Sequence, residues 1–156
     1  MKYETFIING IEVQVPIHFK RSEFRGWYNK MSPELVARLN LFRERLGYPV
    51  YISPAFGAVG RMGGNSTTRH NYERYKEVQA IDVMPSKHEP ERWIRIAEEV
   101  GFKGIGYYPD WEPDAGLHLD DRGGALATWG AVRDTPNSRQ RYTSLSYAVK
   151  KGMKSL

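Results

Sequence analysis

The sequence predicts an α+β fold in which helices pack on a mainly antiparallel sheet. Three observations carry the expectation: short runs that alternate apolar and polar residues, two runs with apolar residues at helical spacing, and strands that follow one another without a helix between each pair.

The first element is a hairpin over about residues 1–16. Asn9-Gly10 separates two β-rich runs, and both residues tolerate the positive φ of a type I′ turn. After it, Ile11, Val13 and Val15 alternate with Glu12 and Gln14, as in a half-buried strand. A helix follows. Ser32 suits its N-cap, Pro33 its first position and Gly47 its stop, while Leu35, Val36, Leu39, Phe42 and Leu46 recur at helical spacing. PVYIS (49–53) reads as a short buried strand. Residues 54–77 then lose all periodicity, and a stretch beyond about 15 residues without structure usually has a functional reason. It reads as one wall of a site.

VQAIDVM (78–84) reads as a central strand, and EPERWIRIAEEVG (89–101) as a second helix with Trp93, Ile96, Ala97 and Val100 on one face. FKGIGYY (102–108) and GLHLD (116–120) read as two more strands joined by the acidic turn PDWEPDA. The tail after Trp129 is polar, with a short terminal helix around SYAVKKGM (146–153). No repeat, low-complexity tract or linker interrupts the 156 residues, so a single domain is expected, with a site core over about 20–130 and a tail over 131–156.

Composition excludes several classes. Four Trp, ten Tyr and six Phe supply enough apolar surface to argue against disorder. With no cysteine there are no disulfides and no thiolate metal site, so a metal would need histidine, carboxylate or water. No apolar run approaches the ~18 residues of a membrane span, and MKYETFIINGIEVQVP lacks the apolar stretch of a signal peptide. Synthesis in the cytoplasm and a monomeric state are expected. The net charge of +5 and pI of about 9.4 favour anionic polymers such as bacterial wall or nucleic acid. The lack of a basic helix or Lys/Arg stripe counts against nucleic acid.

Of the four histidines, His18 and His88 read as surface or capping residues. His70 and His118 differ in their company. Asp82 sits at the centre of an apolar strand, where an ionised carboxylate is costly unless paired or metal-bound. Strand alternation puts His118 and Asp120 on one face, and Asp82 on a face opposite Ile81 and Val83. If the two strands are neighbours, Asp82, His118 and Asp120 converge, and His70 can fold over them. Two imidazoles and a carboxylate with one open corner make a catalytic zinc shell, which lowers the pKa of water there to about 7. The competing reading is a buried hydrogen-bonded His-x-Asp pair, with Asp82 meeting an arginine.

TTRHN (67–71), VQAIDV (78–83) and GLHLDDR (116–122) resemble the metal-ligand motifs of the zinc D-alanyl-D-alanine carboxypeptidase and peptidoglycan endopeptidase family, which shares its fold with hedgehog signalling domains. GIGYYPDWEPDAGLHLDDRGGALATW resembles the version in which Gly-x-Gly-x-Tyr-Pro leads to His-x-Asp-x-Arg and a tryptophan. SPELVARLNLFRERLGYPVYISPAFG is similar to the helix and strand before the first ligand. The likeness spans roughly residues 20–130. Departures are the twelve-residue spacing from His70 to Asp82, Val78 for a glycine, Thr68 for a serine, and Ala115 where many members carry an acid.

The resemblance implies zinc held by His70, Asp82 and His118, and hydrolysis of a peptide bond in bacterial peptidoglycan by a carboxypeptidase or endopeptidase, in the setting of a phage lysis or virion-associated enzyme. Asp120 is the first choice for the general base, with orientation of a ligand histidine as its other role; Asp114 and Glu112 are alternatives. Arg61, at the place of the family's substrate-binding arginine, or Arg69 would meet the peptide carboxylate or the oxyanion. Arg122 has the parity of an ion-pair partner, and Tyr107, Tyr108 and Trp111 are candidates for the cleft wall. The rival from another class is a non-catalytic metal-binding structural or wall-binding module, favoured by Ala115.

Overall fold

Asn9 and Gly10 both take positive φ, 52° and 79°, and close a hairpin of β1 (Tyr3–Ile8) and β2 (Ile11–Pro16). These coordinates, a computed structural model, describe residues 1–154; the last two positions of the 131–156 tail lie outside the described residues. The hairpin forms a sheet of its own. Only its far end is buried: Val15 is covered, whereas Ile11 stands exposed, so the expected alternation holds in part.

The first long helix, α1 (Pro33–Leu46), starts where the Ser32 hydroxyl accepts from the Leu35 amide and Pro33 needs no partner for an N–H. It ends at Gly47, whose φ of 79° is left-handed. Its buried Arg38 bonds Glu34 on its own helix and Asn9 in the hairpin turn, which ties the two together. Next come β3 (Val50–Ile52), the single turn α2 (Tyr72–Tyr75), β4 (Ala80–Pro85), α3 (Pro90–Glu99), β5 (Gly104–Tyr108), β6 (Gly116–Asp120), β7 (Ala127–Val132), β8 (Arg141–Thr143) and α4 (Leu145–Lys154). The terminal helix expected around 146–153 is therefore present.

The six-stranded sheet runs β3-β4-β6-β5-β7-β8. Every pairing is antiparallel except β5 with β7, so the sheet is mixed but mainly antiparallel. β3 lies at the edge of the sheet, so the expected short buried strand is covered at Val50 and Ile52 while Tyr51 is exposed. β7 and β8 were not expected either.

Alternation decides which face each side chain serves. Ile81 and Val83, Ile105 and Tyr107, and Leu117 and Leu119 join Leu35, Leu39, Phe42, Trp93 and Phe102 in the core beneath α1 and α3. Each such side chain contributes about 1.5–3 kcal/mol when fully buried. The opposite face, with Asp82, His118 and Asp120, is left for the site. Among the described residues no helix is long and apolar enough to cross a membrane.

Candidate metal centre

β4 and β6 are antiparallel neighbours with Asp82 directly opposite His118 and Ala80 opposite Asp120. This is the adjacency that the strand-face argument requires. His70 arrives from the loop over the sheet. Its Nε2 lies 3.1 Å from Asp82 Oδ1, and His118 Nδ1 lies 3.3 Å from the same oxygen. The three ligand atoms of His70, Asp82 and His118 are all within 4.8 Å of one another, a group that can hold a metal ion.

The far nitrogens explain what that group needs. His70 Nδ1 faces the Val59 carbonyl at 2.7 Å, and a carbonyl only accepts, so this nitrogen carries the proton. His118 Nε2 donates to Asp120 Oδ2 at 2.7 Å. In neutral imidazoles the inward nitrogens are then bare lone pairs aimed at a carboxylate oxygen. Three acceptors facing one another need either extra protons or a cation, and the donor set fits a borderline metal such as zinc.

Without a cation, protons do that work. Burial alone would lower the His118 pKa, but hydrogen bonds to Asp120 and Asp82 outweigh it and raise it to about 9. Burial alone would likewise raise Asp82, yet the charge of His70 and the bonds to both imidazoles bring it to about 2.

Glycines make the space. A Cβ on Gly104 would stand 2.2 Å from both Asp120 carboxylate oxygens, and one on Gly106 would stand 2.4 Å from Trp129 Nε1. A Cβ on Gly116 would meet the Val83 carbonyl at 2.4 Å and the Trp111 ring at 2.9 Å. These positions share the site face: Gly104 pairs with Asp120, Gly106 with His118, and Tyr108 with Gly116.

Asn71 shapes the loop that delivers His70. Fully buried, it accepts from the Gly63 and Glu73 amides at 2.9 and 3.1 Å and donates to the Gly64 and Ser66 carbonyls at 3.0 and 2.9 Å. The backbone of Arg61 bonds to both His70 and Tyr72, so residues 61–72 close into a brace. This segment is ordered by hydrogen bonds rather than by an apolar face.

A cleft of about 750 Å³ opens over the ligand group. Arg61, Thr67, Thr68 and Arg69 line one side; Tyr108, Trp111, Arg122, Trp129 and Tyr142 line the other. Trp111 stacks on Tyr108 with centroids 4.1 Å apart, and Trp129 packs on His118 at 5.2 Å. Tyr107, by contrast, turns into the core against Trp93 and His88 and forms no part of the cleft wall.

Asp120 lies under His118, fully buried. One oxygen accepts from His118 Nε2 and Arg122 Nη2, both at 2.7 Å; the other accepts from Arg122 Nε at 2.8 Å and the Arg122 amide at 3.2 Å. Burial would raise its pKa, but these donors hold it well below the usual carboxylate range. Arg122 is thus the ion-pair partner that its parity suggests. Asp114 and Glu112 stand exposed on the β5–β6 turn, lining other surface hollows, and neither reaches this cleft. Among the described residues, no carboxylate except Asp82 lines it.

Of the two arginines, Arg69 lies over the Tyr75 ring at 4.4 Å and bonds Gln79 at 3.3 Å. Arg61 has no carboxylate partner among the described residues, and its Nε is buried without an acceptor. Of the other histidines, His18 pairs with Glu44, and His88, partly buried, bonds the Tyr107 hydroxyl at 2.7 Å rather than lying on the surface. Reasoning from the sequence missed Asn71 and Tyr142, and noted Trp129 only as the tryptophan that closes the family-like motif; the polar loop around Asn71 carried a signal, the absence of any period.

Three candidate ligands from two strands and a braced loop, with a cleft on the remaining side, leave an open position of the kind that catalytic zinc sites keep and closed structural sites lack. The peptidase M15 family model matches residues 8–120, and the chain belongs to that family of zinc D-Ala-D-Ala carboxypeptidases. No curated protein and no solved structure matches it.

Proposed function

We propose that this protein is a zinc peptidase that hydrolyses a peptide bond of bacterial peptidoglycan, at a D-Ala-D-Ala-type end or in the stem or cross-bridge. The observation that carries this reading is the convergence of His70 Nε2, His118 Nδ1 and Asp82 Oδ1 beneath an open cleft. Zinc bound there would supply Lewis acidity, acidifying water and polarising the scissile carbonyl. The residues of the chain do the rest. Asp120 takes the orienting role: with all its acceptor sites engaged it fixes the His118 tautomer and aims Nδ1 at the metal position. A base role for Asp114 has no support in its position outside the cleft.

Arg61 is the residue suited to a peptide carboxylate. It stands on the cleft without an acid of its own, and a guanidinium matches a carboxylate's two oxygens. Arg69, already engaged, borders the same side. The stacked rings of Tyr108 and Trp111 and the Trp129 ring exclude water from the opposite wall, which strengthens every charge interaction within. A wall substrate reached in a phage lysis or virion-associated setting is part of this reading, and the positive net charge suits an anionic wall.

A second reading, a metal-holding wall-binding module without hydrolysis, draws on the lack, among the described residues, of any carboxylate but Asp82 in the cleft. One experiment separates the two. Zinc-loaded protein is incubated with purified muropeptides, and products are resolved by mass spectrometry, beside Asp82→Asn and a chelated sample. Release of D-Ala or a stem fragment by the loaded protein alone is expected. Wall binding with intact muropeptides would establish the module instead.

A further inference from the structure

A peptidase must stabilise negative charge on the carbonyl oxygen of the scissile amide, and this cleft offers few donors placed for it. Arg122 is spent on Asp120, Arg69 on Gln79 and Tyr75, and the ligand histidines on their anchors, while Arg61 is the residue assigned above to the peptide carboxylate. Tyr108 remains.

Its position is set by register. Tyr108 pairs with Gly116 and Gly106 pairs with His118, so Tyr108 is the diagonal neighbour of His118 on the same face. Such diagonal residues sit about 7–8 Å apart, within reach of an aromatic side chain. The ring is held by its stack on Trp111, which the missing side chain of Gly116 makes possible. The hydroxyl oxygen accepts a hydrogen bond from Trp129 Nε1 at 2.9 Å, and that indole packs on His118.

The direction of that bond matters. An indole N–H only donates, so the Tyr108 oxygen must accept there, and its own proton is aimed elsewhere. Tyr142, which lines the same cleft, is 71% exposed on its rim and able to give way to a substrate. A phenol is protonated throughout the neutral range.

We propose that Tyr108 is a catalytic residue of this cleft, its hydroxyl donating a hydrogen bond to the scissile carbonyl oxygen as negative charge develops there. The inference rests on the peptidase reading and names a donor within it. Trp129 is the matching positioning residue: its N–H points the phenol, and its ring supports His118.

The test is Tyr108→Phe in the zinc-loaded protein. Phenylalanine keeps the stack on Trp111 and removes only the hydroxyl. Loss of one such donor is expected to lower kcat about 10²–10³-fold with little change in KM. Zinc content should be unchanged. Affinity for a phosphinic pseudopeptide, whose tetrahedral anion imitates the charged oxygen, should fall by a similar factor, while affinity for a reduced-amide peptide stays the same. An active wild type with a Tyr108→Phe kcat within about twofold of it overturns the proposal. A zinc-loaded wild type that cleaves no muropeptide overturns the peptidase reading first, and this inference with it. Should Tyr108→Phe fail to fold, Trp129→Phe serves in its place: a drop in kcat with full zinc content is expected, and an unaltered kcat contradicts the proposal.

Discussion

Adding one methyl group at Gly104 should disable the metal centre from a distance. The new Cβ would stand 2.2 Å from both oxygens of Asp120, so the carboxylate must retreat by about 1 Å or the strands must part. That carboxylate is fully buried and holds Arg122 and His118 through bonds of 2.7–2.8 Å. Breaking a buried pair of this kind costs about 3–5 kcal/mol, which for a chain of this length lowers Tm by roughly 10 °C. Zinc affinity should also fall about 10–100-fold, because His118 loses the partner that fixes its tautomer. The assays are a thermal melt and zinc competition against a chromophoric chelator. Gly123→Ala, which meets nothing within 4 Å, is the control. A Gly104→Ala protein that melts and binds zinc like the control would refute the role given to Asp120.

Three further outcomes are expected. Asn71→Ala removes four hydrogen bonds to the loop, so hydrogen exchange at residues 61–72 should rise and stability should fall by about 2–4 kcal/mol, read by urea denaturation. Arg61→Ala should raise KM for a substrate bearing a free carboxylate about tenfold or more while zinc content stays constant; an unchanged KM would remove Arg61 from substrate binding. Asp121 is raised to about 6 by burial, against the Ser32 bond that lowers it, and its Oδ1 has no partner. Its folded pKa lies above the unfolded value, so the folded state holds the extra proton between about pH 4 and 6 and stability drops as pH rises through that window. Asp121→Asn should flatten that drop and raise stability at pH 7 by about 1–3 kcal/mol, measured by denaturation at pH 4, 5, 6 and 7.

The convergence of the candidate metal ligands was legible because strands obey a period of two. Asp82 in an apolar run and His118 two residues before Asp120 could be placed on one face before their strands were known to touch. The helices were legible from Ser32, Pro33 and Gly47 and from the Trp93 face. β7 was not, because its buried half is Gly130, Ala131 and Val132, which reads as a loop edge. Those residues are small because α4 packs on them: a Cβ on Gly130 would stand 2.3 Å from that of Ala148. Such close approach is a tertiary demand with no periodic trace. The Asp120 role stayed open for a similar reason, since parity gives the face of a carboxylate but not which donors saturate it. Asn71 was hidden in a polar loop whose order comes from hydrogen bonds.

The central claim is that three side chains distant in sequence share one zinc ion. Crystals grown with zinc, measured on both sides of the zinc absorption edge, test it most directly. The account predicts one strong anomalous peak about 2.0–2.2 Å from His70 Nε2, Asp82 Oδ1 and His118 Nδ1, with the remaining coordination facing the cleft. No peak among those atoms, or a peak only at surface histidines such as His18, would contradict it.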